Sequence, residues 1–307
     1  MAATTLDPSF NLQINGQEST HHRVVVAEID GLIRVYKDGH VERPQIVPSV
    51  ACSLAPELGV TCRDMIIDKS TNVWARLYVP NTDRLRLIPL MVYFHGGGFC
   101  VGSASWSCYH EFLAKLASRL SCAVVSVNYR LAPENPLPAA YDDGVKALVW
   151  LTQQNFVRGN DWWTSKCDFS SIFLAGDSAG ANIAYNVALR VSRTLEIKGL
   201  ILIQPFFGRE RRTHSEKYTA QPPRSALTLA ASDTYWRLSL PSGPTVTTRG
   251  AIRRPKGRRS CGVCGHVCIS EMDILRDRNL ELCGNLRSKG VKVEEWVCKG
   301  LGMHFRS

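Results

Sequence analysis

SSIFLAGDSAGANIAYNVALRVSR, residues 170–193, is the stretch from which the rest of the chain can be organised. Residues 170–176 form a short apolar run of strand type, and Gly180 to Arg193 read as a helix. Between them stands Gly176-Asp177-Ser178-Ala179-Gly180, a G-x-S-x-G pattern at a strand-to-helix turn, which is the context that makes the pattern informative. The small flanking residues fit a tight turn. Glycine tolerates strained backbone angles and lets the following helix approach, so the Ser178 hydroxyl can project at the top of a sheet.

Outward from this turn, strand and helix signals alternate. VTCRDMIID (60–68) and ARLYVP (75–80) read as early strands, and a third strand ends in LMVYFHGGGF (90–99). A helix over Tyr109–Leu120, the strand CAVVSVNY (122–129) and a helix over Ala139–Gln153 precede the central turn. GLILIQPFF (199–207), GHVCIS (265–270), a helix over Ile274–Ser288 and VKVEEWVC (291–298) follow it. The order predicts one α/β domain over 1–307 with a mostly parallel sheet covered by helices on both faces. Residues 1–60 break the alternation and suit an N-terminal cap or arm on a core over 61–307. A lid insertion is expected near 209–265, with LTLAASDTYWRLSL (227–240) as its helix.

Composition agrees with a packed core. The 307 residues are 45% hydrophobic and 21% charged, which excludes a disordered chain, a collagen-like repeat and a coiled coil. No run approaches the roughly 18 to 20 apolar residues of a membrane span, and the start shows no signal-peptide pattern, so the expected location is cytoplasmic. The 11 cysteines are scattered, and reduced, buried thiols are expected. The net charge of +10 is local, because six basic residues fall between Arg249 and Arg259 and no acid lies between Asp233 and Glu271. That tract lacks interleaved aromatics and reads as a solvated loop, with no nucleic-acid or membrane partner expected.

His95-Gly96-Gly97-Gly98-Phe99 supplies what a nucleophilic serine needs, exposed backbone N–H groups for the oxyanion of a tetrahedral intermediate. A phosphate cradle is the competing reading of such a loop, but the two motifs occur together and in order. Ala179 adds a third N–H. A serine also needs a base and an orienting carboxylate, expected downstream in the order Ser, Asp, His. Asp273, just after an apolar strand, is the best acid, with Glu271 as fallback. Asp233 falls in the lid and Asp277 on a helix. After Asp273 the one remaining histidine is His304. His110, His214 and the pair His21-His22 read as surface or structural residues.

Taken together, HGGGF at His95, NYRLAPENPLPAAYDD at Asn128, GDSAGAN at Gly176 and SEMDILRDRN at Ser270 resemble the plant carboxylesterase family, in the hormone-sensitive-lipase-like branch of the α/β hydrolases. The resemblance runs from about Val24 to Leu240 and resumes from Val267. It implies an α/β-hydrolase fold, hydrolysis of small carboxylic esters through an acyl-enzyme, and neither metal nor organic cofactor. It places Ser178 as nucleophile, Asp273 as acid and His304 as base, with the oxyanion hole drawn from His95, Gly96, Gly97, Gly98 and Ala179.

Residues 242–266 do not look like the family. The family's His-x-Phe ending is here Gly302-Met303-His304-Phe305, which sets His304 one residue out of register. Relatives also continue with a helix packed on the sheet; losing three or four large apolar side chains would cost roughly 5 to 10 kcal/mol. Because the gibberellin receptors resemble these esterases and keep the serine without the histidine, a ligand binder on the same fold is the alternative reading, and an inactive truncated product is a further one. Cys261-x-x-Cys264-x-His266-x-Cys268 has zinc-ligand residue types, but structural sites draw on two separated pairs, so no metal is expected.

Overall fold

The computed structural model describes residues 23–81, 86–156, 162–220, 225, 227–241 and 264–299. His21-His22, the basic tract 249–259, Cys261 and His304 lie outside the described residues.

Eight strands form the main sheet: β4 (Val60–Asp68), β5 (Val73–Pro80), β6 (Ile88–Phe94), β7 (Ala123–Asn128), β8 (Cys167–Asp177), β9 (Gly199–Ile203), β10 (Cys264–Ser270) and β11 (Lys292–Cys298). Their order is β11-β10-β9-β8-β6-β7-β5-β4. Pairing is parallel from β11 to β7 and antiparallel for β7/β5 and β5/β4. The central strands carry apolar side chains on both faces because helices cover both sides. Leu90, Val92 and Phe94 of β6, with Ile172 and Leu174 of β8, are buried with Leu148 and Leu151 of α2 (Ala139–Phe156), while Met91 and Tyr93 of β6 and Ala175 of β8 are buried with Leu113 and Ala117 of helix α1 (Ser107–Leu120) on the other face. Helix α3 (Ala179–Val191) is almost wholly buried against β8, as its apolar sequence requires.

The expected elements appear within a few residues of their sequence positions. The arm holds more order than the sequence indicated. Strands β1 (Val25–Ile29), β2 (Ile33–Tyr36) and β3 (Val41–Glu42) form an antiparallel meander, and β1 packs on helix α5 (Leu229–Ser239). The strands are five, four and two residues long, too short for a periodicity signal. Helix α4 (His214–Tyr218) was likewise not foreseen. A reciprocal cap starts it, with Thr213 Oγ accepting from the Glu216 N–H and the Glu216 carboxylate accepting from the Thr213 N–H. Helix α6 (Arg276–Arg287) leads from β10 to β11. Among the described residues no helix is long and apolar enough to cross a membrane.

The NYRLAPENPLPAAYDD segment is architectural. Asp143 is fully buried and takes the Arg130 guanidinium (2.7 Å) and the Arg130 N–H (2.9 Å). Tyr129 donates to the His95 carbonyl (2.8 Å). Arg43, from the arm, donates to the carbonyls of Cys100 and Ala132 and pairs with Glu134, fastening the arm to this segment.

Candidate active site

Ser178 occupies the turn between β8 and α3 at φ 50°, ψ −115°, a conformation costly for a residue with a Cβ. The surroundings over-determine it. The Ser178 N–H donates to Ile203 O (2.8 Å), and Ser178 O accepts from Phe206 N–H (2.9 Å) and Asn182 N–H (3.2 Å). Asn182 is buried, donates to Phe206 O (2.8 Å) and accepts from Tyr141 (2.8 Å), which accounts for the asparagine closing the GDSAGAN motif. The flanking glycines are required sterically. A Cβ at Gly180 would lie 1.9 Å from Phe94 O, and one at Gly176 would lie 2.4 Å from the Gly180 carbonyl carbon.

These contacts bring the turn against the end of β6, and there the glycine loop begins. Gly97 (φ 109°), Gly98 (φ 59°) and Phe99 (φ 65°) run consecutively in left-handed conformations. The loop folds back so that Gly97 O accepts from Cys100 N–H (3.0 Å) and Val101 N–H (2.9 Å). No described residue accepts from the N–H groups of Gly97, Gly98 or Ala179, and Ala179, as the first residue of α3, has no acceptor within its helix. Three donors are thus left without a described acceptor in the glycine loop and at the start of α3.

His95 and Gly96, grouped with these donors by sequence, have other tasks here. Gly96 N–H donates to the Tyr109 hydroxyl (2.9 Å) and is taken. The His95 ring is buried, stacked on Tyr129 at 4.3 Å, with Nδ1 2.8 Å from Gly96 O; burial pushes its pKa down to about 4. His95 is therefore a neutral prop for the loop.

Two further groups act on the loop. Asp177 accepts from Tyr93 (2.9 Å) and Tyr109 (3.0 Å), so Tyr109 joins the residue before Ser178 to the start of the glycine loop. Burial raises the Asp177 carboxyl to about 6 against the lowering effect of the two phenols. On the opposite side, buried Ser239 of α5 donates to Gly98 O (3.1 Å), and a Cβ on Gly98 would lie 2.3 Å from the Tyr235 ring. No spacing rule could have linked Ser239 to a glycine 141 residues away.

Asp273 is buried in the turn after β10, and its Oδ1 accepts from Leu275 N–H (2.9 Å). Gln204 connects this turn to the serine. It follows Ile203, which holds Ser178, donates its N–H to Cys268 O (2.8 Å), and hydrogen-bonds Ser270 Oγ with its side chain. The competing acids are placed otherwise. Asp233 pairs with Arg212 on the surface, Asp277 accepts from Ser215 N–H at the start of α4, and Glu271 is exposed. His110 is a buried link between Tyr78 (3.1 Å) and Ser53 O (3.0 Å), and His214 lies against Tyr218 at 4.7 Å.

All ten described cysteines are free thiols. Four are buried, five half-buried and Cys298 exposed, so the thiols are less enclosed than the sequence reading expected. Among the described residues no group of three His, Cys, Asp or Glu is placed to hold a metal ion.

Comparisons with known proteins bear on this arrangement. A family described as alpha/beta hydrolase fold matches residues 91–306. Probable carboxylesterase 6 of Arabidopsis thaliana is 54% identical over 304 residues, covering 95% of this chain and 87% of the relative. A protein of Papaver somniferum named 3-O-acetylpapaveroxine carboxylesterase is 37% identical over 266 residues, 79% of this chain and 83% of its own. Among solved structures, the hyperthermophilic esterase from Pyrobaculum calidifontis superposes with a TM-score of 0.67 at 30% identity, over 78% of this chain and 74% of that one.

Proposed function

The chain belongs to the α/β-hydrolase family, in its carboxylesterase branch, and is on that footing a carboxylic ester hydrolase; we propose that Ser178 is its nucleophile. Asp273 is the orienting acid, His304 the base, and the N–H groups of Gly97, Gly98 and Ala179 the oxyanion donors. The observation that carries this reading is the strained Ser178 held at a β8–α3 turn beside three backbone donors that no described residue uses.

The Ser178 hydroxyl attacks the ester carbonyl carbon while His304 takes its proton, and negative charge builds on the carbonyl oxygen. Backbone N–H donors fixed before reaction stabilise that charge without reorganising; removing one such donor typically costs about 10² to 10³ in rate. The intermediate collapses to an acyl-serine, the alcohol leaves with the proton held by His304, and water repeats the sequence to free the acid. Asp273 fixes the imidazole tautomer. Small neutral esters are the substrate class. Ten free thiols among the described residues support a reducing compartment, and we place the enzyme in the cytoplasm.

The test is reaction of the purified protein with a fluorophosphonate, read by intact mass, with Ser178→Ala as control and circular dichroism to confirm folding. One adduct on the parent and none on Ser178→Ala is expected. A folded parent that stays unlabelled would replace this reading with that of a ligand binder.

A further inference from the structure

One part of the zinc-like stretch is organised in a different way. Cys264 and His266 are two apart on β10 and so point to the same face of the sheet, where β11 lies in parallel register with His266 opposite Glu294. Cys264 Sγ is 3.7 Å from His266 Nε2, and His266 Nδ1 is 3.3 Å from Glu294 Oε2. The imidazole stands between a thiol and a carboxylate, one nitrogen toward each, which is the order of groups in a nucleophile–base–acid relay. Cys264 is half-buried, while His266 and Glu294 keep 38% and 42% of their side-chain surface, so small molecules can reach the three. Lys292, in register with Cys264, lies with Nζ 3.5 Å from the other Glu294 oxygen and adds positive charge at the same edge.

We propose that Cys264 is a second nucleophilic site of this protein, independent of Ser178, that captures soft electrophiles of the α,β-unsaturated carbonyl class. His266 Nε2 accepts the thiol proton, and Glu294 holds the imidazole with Nδ1–H toward its carboxylate and stabilises the imidazolium. The sulfur forms a bond to the β-carbon as the carbon–carbon π bond opens into an enolate. The imidazolium proton then reaches the α-carbon, giving a thioether with nothing left over and no oxidant consumed. The same sheet face carries half-buried Ile201, opposite His266 on β9, and exposed Trp296 two residues beyond Glu294, an apolar border suited to a neutral conjugated carbonyl.

Two other thiols on these strands serve as internal references. Cys298 is exposed and among the described residues no histidine is recorded against its sulfur, and Cys268 has its thiol pKa raised by burial and by its neighbour Cys298. The full-length protein is treated with substoichiometric N-ethylmaleimide at pH 7, quenched, digested, and each cysteine's labelling rate is measured by mass spectrometry. Cys264 should react about tenfold faster than Cys298, since the thiolate is the nucleophile and only Cys264 has the His266 imidazole recorded beside its sulfur to take the proton. His266→Gln should bring Cys264 down to the Cys298 rate, and Glu294→Gln should give a smaller loss. Fluorophosphonate labelling of Ser178 should not change in either variant. Labelling of Cys264 no faster than Cys298 in the parent would overturn the proposal whether or not the variants fold. So would a fast Cys264 that is indifferent to His266→Gln in a protein with the parent's circular dichroism.

Discussion

The middle of the sheet and its β10–β11 end are built to different tolerances. At β6 and β8 every face is covered, the glycines leave no room for a Cβ, and Ser178, Gly97, Gly98 and Ala179 are set by backbone contacts to neighbours that cannot move independently. At β11 the side chains of Trp296, Val297 and Cys298 stand in solvent, and the strand is held by one neighbour and by pairs such as Arg287 with Glu295. The difference teaches where this fold spends its rigidity. The turn around Ser178 and the glycine loop are locked into the core, while Asp273 sits in the turn after a strand near the edge.

Substitutions can break that contrast or sharpen it. The largest effect is expected at Gly180, where an alanine Cβ would sit 1.9 Å from a backbone oxygen of β6. Gly180→Ala should destabilise the protein by about 3 kcal/mol or more, read as a lowered urea midpoint, because neither backbone can yield. A loss under about 1 kcal/mol would show the centre to be far softer than described here. Next comes Ser239, the donor to Gly98 O from α5. Ser239→Ala leaves a buried carbonyl unpaired at about 1 to 3 kcal/mol and loosens the loop. Roughly a tenfold fall in kcat with KM unchanged is expected from esterase kinetics. A rise in KM alone would assign Ser239 to substrate binding instead.

A smaller effect concerns acid. Asp177 titrates near 6 in the folded protein, above an ordinary carboxyl, so its contribution to stability grows as pH falls from 6 toward 4. His95 titrates near 4, below an ordinary imidazole, so its contribution shrinks as pH falls through the same window. The two slopes oppose each other. Asp177→Asn removes the first, and urea unfolding of that variant should lose stability more steeply between pH 6 and pH 4 than the parent does. Parallel slopes in parent and variant would remove Asp177 from the balance. The smallest effect is expected at the edge: Trp296 is 60% exposed, and Trp296→Gln should change stability by no more than about 0.5 kcal/mol in the same assay.

What could be read from the residues follows the same division. The central strands are legible because burial on both faces writes an unbroken apolar run, and the turn around Ser178 is legible because steric demand admits so few residues. The place after a strand favours Asp273 as the acid over Asp233 and Asp277, which the structure engages with Arg212 and with Ser215 N–H. The meander of β1 to β3 and helix α4 could not be read, since two to five residues carry no period. Neither could the division of labour in the glycine loop. Nothing in HGGGF says that Gly96 N–H is already taken, because its acceptor, Tyr109, belongs to α1. Contacts made across the fold leave no trace in local spacing.

Gln204 also has a topological role. Its N–H and side chain fasten the end of β9 to β10, so the chain between Gln204 and Cys268 is a closed bight, pinched shut at its neck. Both ends of the bight are fixed by the sheet, one beside Ser178 and one shortly before Asp273. Doubling the length of such a closed segment costs only about 0.6 kcal/mol in closure entropy. The bight can therefore lengthen, shorten or change its sequence while the spacing of Ser178 and Asp273 stays the same.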